Sequence, residues 1–314
     1  KVSVGERHFD QCGPVAFNGT DSLYLATQYQ IWHLENAVPP GKDMQGFDRF
    51  YIPQQSFVTA NLGIQDLTVD SKGRLFFVNT LFSCLSGVSP KHSFIPLWKP
   101  SFISKIIAED RCHLTGVALQ DDKPKYVTAA SESDEKQGWT SQRKNGGVII
   151  DVPTNEIIAK GLSMPHSPRF YQDKLWVLNS GTGYLGYVDI DSGKFNEVAF
   201  CPGYLRGLSF IGNYAVVGVC RPRTEDDFSD LLLEKNLKKN GAEAESGIYI
   251  IDLEKGTTVQ HILFDRVIDE VCSVNLIPGV KRPITLGLNM PELAKMITVG
   301  APVKPTAPGS DSKH

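Results

Sequence analysis

The sequence predicts an all-β protein, a six-bladed β-propeller with helical or loop insertions on one face. The 28 glycines and 19 prolines in 314 residues are too many for a helical bundle and follow no collagen-like period. Val, Ile, Phe, Tyr and Thr occur instead in short runs between them, which is typical of strands. A four-strand unit also recurs at spacings of roughly 40 to 60 residues, as propeller blades do.

The clearest repeat unit spans residues 167–200. Four short apolar runs, among them residues 175–178 and 185–189, are separated by turn sequences such as Asp191-Ser192-Gly193. Four strands joined by hairpin turns within about 35 residues form one blade.

The opening hairpin of this unit recurs five more times along the chain. The recurrences are residues 14–17 with 23–26, 67–69 with 75–78, 117–119 with 126–128, 208–210 with 215–219, and 273–276 with 284–288. Six openings predict six blades in one domain over residues 1–300, with residues 2–9 completing the sixth. This regular recurrence argues against a β-sandwich. Residues 301–314 are rich in Pro, Ser and Lys, and we expect a flexible C-terminal tail there.

One face of this propeller is expected to carry the function. Starts of innermost strands and ends of second strands lie on the same face, and three long polar stretches follow second strands: residues 80–100, 131–146 and 221–247. Long insertions on one face of a rigid scaffold usually build a binding or catalytic site. Residues 226–239 have early acidic residues and late lysines, which predicts a short helix, either a partial lid or a helix packed on the rim.

Composition excludes several classes of partner. The net charge of −3 gives no bulk reason for binding nucleic acid or an anionic membrane, so neither partner is expected. No run approaches the 18 or more apolar residues of a membrane span. Six cysteines are scattered without CxxC spacing, which favours reduced thiols and a cytoplasmic location.

Several segments have distinctive sequences. They are FSCL at residues 82–85, SFIPLWKP at 93–100, EDRCHLTG at 109–116, MPHSPR at 164–169 and RGL at 206–208. On these segments the chain resembles, from about residue 61 to 264, a bacterial family of conserved hypothetical proteins. The resemblance implies a propeller-like domain of unknown function, sometimes joined to tetratricopeptide or sulfotransferase regions. It implies no reaction and no catalytic residues.

Two residues at innermost-strand starts are the main candidates for chemistry. His166 lies between two prolines, where an imidazole suits a general acid or base or a metal ligand. Arg206 lies one blade later, and a guanidinium in a channel suits a carboxylate, sulfate or phosphate. The alternatives are a histidine bonded to loop carbonyls and an arginine paired with Asp269 or Glu270.

Two further catalytic candidates are Cys112 and His113, with Cys84 on the same face. A thiol beside an imidazole can form an activated nucleophile, and two cysteines with two histidines can bind Zn²⁺. Burial of both thiols in the core is the favoured alternative, because free cysteine is among the most buried residue types.

Other residues of this face are candidate ligand-binding residues. They are Asp66, Asn79, Trp98, Asn179, Arg221 and Glu270. Asn79, Asn179 and Asn289, with Asp66 and Asp269, resemble by position the oxygen ligands of a divalent ion in propeller enzymes of the gluconolactonase and paraoxonase group. The cofactor therefore stays open, a divalent metal being one option. Trp98, Trp139 and Tyr184 would stack on a sugar or aromatic ligand, or else pin the insertions to the scaffold.

These observations predict a polar pocket at the channel mouth that binds a small polar or anionic ligand. One hypothesis is an enzyme, a lyase, isomerase or hydrolase, in which His166 is the acid or base and Arg206 holds an anionic group. The other is a non-catalytic recognition module that binds a peptide or partner protein across the same face. Fold alone does not decide between them.

Overall fold

The computed structural model describes residues 4–222, 224, 229–264 and 268–300. Within these residues the chain forms a β-propeller of five antiparallel sheets. The all-β propeller expected from the sequence is confirmed, whereas the expectation of six blades is wrong. The predicted tail at 301–314 lies outside the described residues.

Each sheet takes its strands in chain order from the innermost to the outermost. Blade 1 has β1 (Val15–Asn18), β2 (Ser22–Ala26), β3 (Gln30–Asn36) and β4 (Arg49–Val58), and blade 2 has β5 (Ile64–Val69), β6 (Leu75–Asn79), β7 (Cys84–Gly87) and β8 (Ile95–Trp98). Blade 3 has β9 (Leu114–Gln120), β10 (Lys123–Ala129), β11 (Gly147–Asp151) and β12 (Ile157–Leu162), and blade 4 has β13 (Pro165–Tyr171), β14 (Lys174–Asn179), β15 (Tyr184–Val188) and β16 (Phe195–Phe200). Blade 5 has β17 (Tyr204–Ile211), β18 (Tyr214–Cys220), β19 (Gly247–Asp252) and β20 (Thr257–Leu263).

The core lies between neighbouring blades. Apolar side chains on the second and third strands of one blade pack against the first and second strands of the next. Leu178 and Leu185 of blade 4 pack in one buried cluster with Leu205 and Val217 of blade 5. Because strand side chains alternate between the two faces of a sheet, each blade contributes to two such clusters.

The hairpins between first and second strands are closed by the turn residues that the sequence pattern identified. Asp70 accepts hydrogen bonds from the backbone amides of Lys72 (3.0 Å) and Arg74 (2.8 Å). Gly73 has a φ of 76°, a value that favours glycine. This local chemistry explains why five of the six predicted openings are found as β1–β2, β5–β6, β9–β10, β13–β14 and β17–β18.

The sixth predicted opening does not form a hairpin. The region around residues 273–276 runs without strand pairing between β17 and β1, where Asn275 Nδ2 donates to the Val15 carbonyl (2.8 Å) and the Leu276 amide donates to Ser209 Oγ (3.3 Å). Val274 is buried against Gly207, which has a φ of 76° and no room for a Cβ, since one would lie 2.4 Å from the Val274 nitrogen. This irregular segment fills the gap between blades 5 and 1.

The second half of the expected sixth blade joins blade 1 instead. Strand β21 (Pro283–Thr285) pairs in parallel with β4, and the buried Leu286 clusters with Phe50 and Ile52 of that strand. Residues 4–9 form no strand either, so they do not complete a sixth sheet. The apolar residues at 284–286 satisfied the blade pattern, but they are buried on the edge of blade 1.

One of the three expected insertions is part of the scaffold. Residues 80–100 contain β7 and β8, the outer half of blade 2, and the long connection of that blade follows it at residues 99–113. Residues 130–146 between β10 and β11 do form an insertion, with a short 3₁₀ helix at Gly138–Gln142. The stretch between β18 and β19 carries helix α1 (Leu232–Asn240).

Helix α1 packs on the rim of blade 4. Leu233 is buried, and Asn236 Nδ2 donates to the Thr182 carbonyl (2.8 Å) of the 3₁₀ turn at Ser180–Thr182. The first residues of the predicted helix, 226–228, lie outside the described residues. No helix in the described ranges is long and apolar enough to cross a membrane.

Candidate functional site

A cavity of about 430 Å³ opens on the face that the strand parity singled out. Its walls come from innermost-strand starts, from the end of β18 and from the β10–β11 insertion. They are formed by Gln65, His113, Trp139, Arg143, Met164, Tyr204, Arg206, Cys220, Arg221 and Glu270. The volume lies within the range of about 300–1,000 Å³ typical of small-molecule sites.

Arg206, at the start of β17, connects opposite sides of this cavity. Its Nη1 donates to Glu270 Oε1 of the segment that fills the ring, and its Nη2 donates to Gln65 Oε1 of β5 in blade 2. The pairing with Glu270 was the alternative role considered for this arginine. A guanidinium has five N–H donors, so these two contacts leave Nε and one hydrogen on each Nη without a partner in the described residues.

Two more guanidinium groups line the same cavity. Arg221 follows β18 and forms an ion pair with Asp269. Arg143 lies in the β10–β11 insertion, and its Nη2 is 3.4 Å from Asp230 Oδ1. Arginine offers planar, bidentate recognition of carboxylate-like groups. The cavity therefore has three cations, each partly neutralised by an acidic residue.

His113 forms the most organised polar group of the cavity. Its Nδ1 lies 2.9 Å from Asp110 Oδ2, which also accepts a hydrogen bond from Trp139 Nε1 at 3.0 Å. The His113 and Trp139 rings stack with centroids 3.9 Å apart. Asp110 thus places the imidazole proton on Nδ1 and leaves the Nε2 lone pair of His113 without a partner in the described part of the chain.

His166 is buried behind the cavity wall. It is 2 % exposed, its Nδ1 donates to the Met164 carbonyl (2.9 Å), and the Tyr204 hydroxyl lies 3.4 Å from the same nitrogen. Burial lowers the pKa of His166 well below its ordinary value and the charge of Arg206 lowers it further, while the Met164 bond acts in the opposite direction. The ring is therefore neutral, and its buried Nε2 has no hydrogen-bond partner in the described residues.

Cys112 is fully buried in the cluster between blades 2 and 3, and Cys84, at the start of β7, is also fully buried. Burial raises the pKa of the Cys112 thiol to about 12 and that of Cys84 to about 11. A thiol at such a pKa is protonated at neutral pH and is a poor nucleophile or metal ligand. The packing role considered for the two cysteines is confirmed by their burial.

Asp66 serves the scaffold rather than the cavity wall. Its carboxylate forms a bidentate ion pair with Arg169 at 2.8 and 3.0 Å. It also accepts hydrogen bonds from the backbone amides of Leu67 and Val117. These four bonds occupy the oxygens that a metal ion would need. In the described part of the chain, no group of three or more His, Cys, Asp or Glu side chains is arranged to hold a metal.

The asparagines expected at second-strand ends do not form a ring. Asn79 and Asn179 end β6 and β14 and are buried, where their side-chain oxygens accept from the Phe82 (3.1 Å) and Ser163 (2.7 Å) amides. Asn289 lies in an exposed turn beyond β21, because the sixth blade is absent. Asn79 therefore stabilises the turn that follows β6, and Asn179 holds the connection between β12 and β13.

Two of the three aromatic residues expected at the mouth lie elsewhere. Trp98 ends β8, the outermost strand of blade 2, and packs on the cluster between blades 2 and 3. Tyr184 begins β15 and contacts Phe200, with ring centroids 5.3 Å apart. Only Trp139 lines the cavity.

The structure places Asp110 beside the cavity residue His113, and Arg143 and Tyr204 in the cavity wall, although the sequence had not suggested these three residues. Asp110 precedes His113 by three residues in the EDRCHLTG segment, and Asp–x–x–His spacing was the available signal. Arg143 lies in an insertion already expected on this face, and Tyr204 lies two residues before Arg206. Their convergence depends on loop conformations, including a positive φ at both Asp110 and His113.

Several solved structures are similar to this chain. One chain of a nidogen–laminin complex is similar at a TM-score of 0.50, with 11 % identity and 81 % of each chain covered. A protein of unknown function from Bacteroides caccae has a TM-score of 0.48, 9 % identity and coverage of 83 % of this chain and 85 % of that one. Hydrazine synthase from Kuenenia stuttgartiensis has a TM-score of 0.45, 14 % identity and coverage of 84 % and 70 %. At 11 % identity, the similarity to the chain of the nidogen–laminin complex supports the fold alone.

A comparison with curated proteins found no match. A family model, in contrast, matches residues 1–286, nearly the whole described chain. The chain therefore belongs to the family described as domain of unknown function DUF4915.

Proposed function

We propose that the cavity of about 430 Å³ binds a small anionic molecule and that His113 acts on this molecule as a general acid or base. The observation that carries the proposal is the convergence on one cavity of three arginines and an aspartate-oriented imidazole.

The arginines supply the anion-binding part of the proposal. Arg206 keeps three donors beyond its bonds to Glu270 and Gln65, and Arg221 uses only Nε and Nη2 on Asp269. Both can therefore donate to a ligand without giving up the contacts that hold them in place. Held side chains lose little conformational entropy when a ligand binds, which favours affinity.

His113 supplies the proton-transfer part. An imidazole whose Nδ1–H is held by a carboxylate presents Nε2 as a proton acceptor, and it becomes a donor once protonated. Stacking on Trp139 and the bond to Asp110 leave the ring little freedom to turn. We prefer His113 to His166 in this role because His113 lines the cavity, whereas His166 is buried behind Met164 and Tyr204.

These groups suit proton transfer next to an anionic group, as in a lyase or isomerase. His113 would take a proton from the ligand while Arg206 and Arg221 stabilise the negative charge that develops. Hydrolysis by a thiol nucleophile is disfavoured, because burial keeps the Cys112 thiol protonated.

Calorimetric titration with succinate, gluconate, inorganic phosphate and sulfate tests the binding. We expect at least one of these anions to bind wild-type protein and Arg206→Gln to weaken it about tenfold or more, since one charged hydrogen bond is worth roughly 1.5–3 kcal/mol. Arg74→Gln is the matched control, because Arg74 forms an ion pair with Asp70 in a hairpin away from the cavity.

Two results would contradict the proposal. If none of the four anions bound, or if Arg74→Gln weakened binding as much as Arg206→Gln, the cavity would not be an anion site. The partner-recognition hypothesis would then be the better one. We expect His113→Gln to bind the anion as the wild type does, which would separate binding from proton transfer. Proton transfer is then measured in both proteins as the exchange of ligand protons with deuterated solvent.

A further inference from the structure

A second cavity, of about 560 Å³, adjoins the first. Gln65, Arg206 and Glu270 line both cavities. These three side chains are hydrogen-bonded to one another through the Arg206 guanidinium, so a single polar group forms the wall between the two spaces. A ligand bound at Arg206 can therefore extend into either cavity.

The chemistry of the second cavity differs from that of the first. Apart from the shared Arg206 and Glu270, its lining side chains are uncharged. Four of them are amides, from Gln11, Gln28, Asn61 and the shared Gln65. The side chains of Gln11 and Gln28 make no hydrogen bond to any other described residue, so both are available to a ligand.

Amide side chains are matched to hydroxyl groups. An amide offers acceptor and donor atoms side by side, and a hydroxyl is both a donor and an acceptor. Four amides on a cavity whose charged lining residues are the shared Arg206 and Glu270 thus favour a neutral, hydroxyl-rich group. Small apolar molecules are disfavoured, because they would leave these amides without partners.

The charges of the first cavity restrict the anion. Arg143, Arg206 and Arg221 are each paired with an acidic residue, namely Asp230, Glu270 and Asp269, and Asp110 adds a further carboxylate beside His113. Among the described residues, the four carboxylates in and beside the cavity outnumber the three guanidinium groups, which disfavours a dianion more than a monoanion. A singly charged carboxylate, which a guanidinium can bind with two parallel hydrogen bonds, fits better than phosphate.

We propose that the two cavities form one two-part site and that its ligand is a sugar acid. The carboxylate lies at Arg206 in the first cavity, within the space that His113 lines, and the hydroxyl-rich remainder lies among the amides of the second. This inference rests on the proposed function and adds the class of substrate to it.

The test is calorimetric titration with three probes that separate the two parts. Gluconate has a carboxylate and a short polyol chain, lactobionate adds a galactose to it, and lactose lacks the carboxylate. We expect wild-type protein to bind lactobionate about tenfold more tightly than gluconate, as two or three additional hydrogen bonds would provide, and to bind lactose most weakly.

The double variant Gln11→Ala/Gln28→Ala should remove most of the advantage of lactobionate and lower the affinity for gluconate by a smaller factor, because gluconate presents fewer hydroxyl groups to these amides. Neither side chain has a partner among the described residues, so we expect its thermal unfolding to match that of the wild type. Gln260→Ala, on the outermost strand of blade 5, is the control and should change neither affinity.

Each other outcome overturns a defined part of the inference. Equal affinities for gluconate and lactobionate in the wild type, or a double variant that keeps the difference, would remove the second subsite and leave the proposed function intact. Lactose binding as tightly as lactobionate, or inorganic phosphate binding more tightly than gluconate, would overturn the carboxylate assignment. If no anion bound at all, the proposed function would fail first.

Discussion

Two neighbouring residues of β5, Gln65 and Asp66, bind two different arginines with different consequences. Asp66 holds Arg169 inside the scaffold, whereas Gln65 holds Arg206 at the wall between the two cavities. Both arginines belong to innermost strands, β13 and β17. Their comparison shows that the number and location of the hydrogen-bond partners separate a structural arginine from a candidate binding arginine.

The Asp66–Arg169 pair connects three blades. Arg169 of blade 4 donates to Asp66 of blade 2 and to the carbonyls of Val117 in blade 3 (3.3 Å) and Pro168 (2.8 Å). Asp66 in turn accepts the Val117 amide at 3.1 Å. The carboxylate of Asp66 already accepts four hydrogen bonds, so the pair links the blades and is not available to a ligand.

The Arg206 group has the opposite character. Its two contacts join blade 5 to blade 2 and to the irregular segment beyond residue 268, and both of its partners line cavities. Three N–H donors remain without a partner among the described residues. Arg169 thus makes four hydrogen bonds to three residues of the scaffold, whereas Arg206 makes two, both to residues that line the cavities.

Removing the Asp66–Arg169 ion pair should have the largest effect on stability. We expect Arg169→Met to lower the free energy of unfolding by about 3–5 kcal/mol, because it leaves the Asp66 carboxylate, 5 % exposed, as a buried charge without its cation. Urea denaturation measures this change. A loss below about 1 kcal/mol would show that the pair is not the structural member of the comparison.

The buried histidine beside the cavity should make stability depend on pH. The lowered pKa of His166 means that the unfolded chain binds a proton more readily than the folded one, so stability is complete above the unfolded value of 6.5 and falls as pH drops below it. We expect His166→Gln to reduce the slope of unfolding free energy against pH in this window by up to about 1.4 kcal/mol per unit. Urea denaturation of both proteins from pH 7 downward measures the slopes. Identical slopes would show that His166 does not titrate as its burial implies.

Removing Arg206 should affect stability less than removing Arg169. Arg206 and Glu270 are about one-fifth exposed, so water can solvate the remaining carboxylate. We expect Arg206→Gln to cost about 1 kcal/mol in the same urea experiment while it weakens anion binding. A destabilisation as large as that of Arg169→Met would remove the distinction between the two arginines.

Thiol reactivity tests which of two regions is accessible to solvent, the second cavity or the packed interior, without changing the stability of the protein. Cys12 is exposed and lines the second cavity, whereas Cys84 and Cys112 lie in the packed interior. We expect Ellman's reagent to modify Cys12 on the order of 100-fold faster than Cys112 in the native protein, because buried thiols react only after local opening. Mass spectrometry of partly modified protein identifies the sites. Comparable rates would mean that the interior opens as readily as the cavity.

The sequence determined most of the scaffold by itself. Alternating apolar runs and turn residues such as Asp70 and Gly73 are local signals, and they identified five blade openings, the propeller class and the face that carries the cavity. Burial of Cys84 and Cys112 followed from their residue type.

Tertiary structure decided the number of blades and the membership of the site. Residues 284–286 have the pattern of a strand, but their apolar side chains are buried on the edge of blade 1, a choice that depends on which surface is exposed nearby. Gln65, His113 and Arg206 are far apart in sequence, and only closure of the ring places them around one cavity. Strand periodicity reports local burial, whereas convergence of side chains depends on contacts between residues that are distant in the chain.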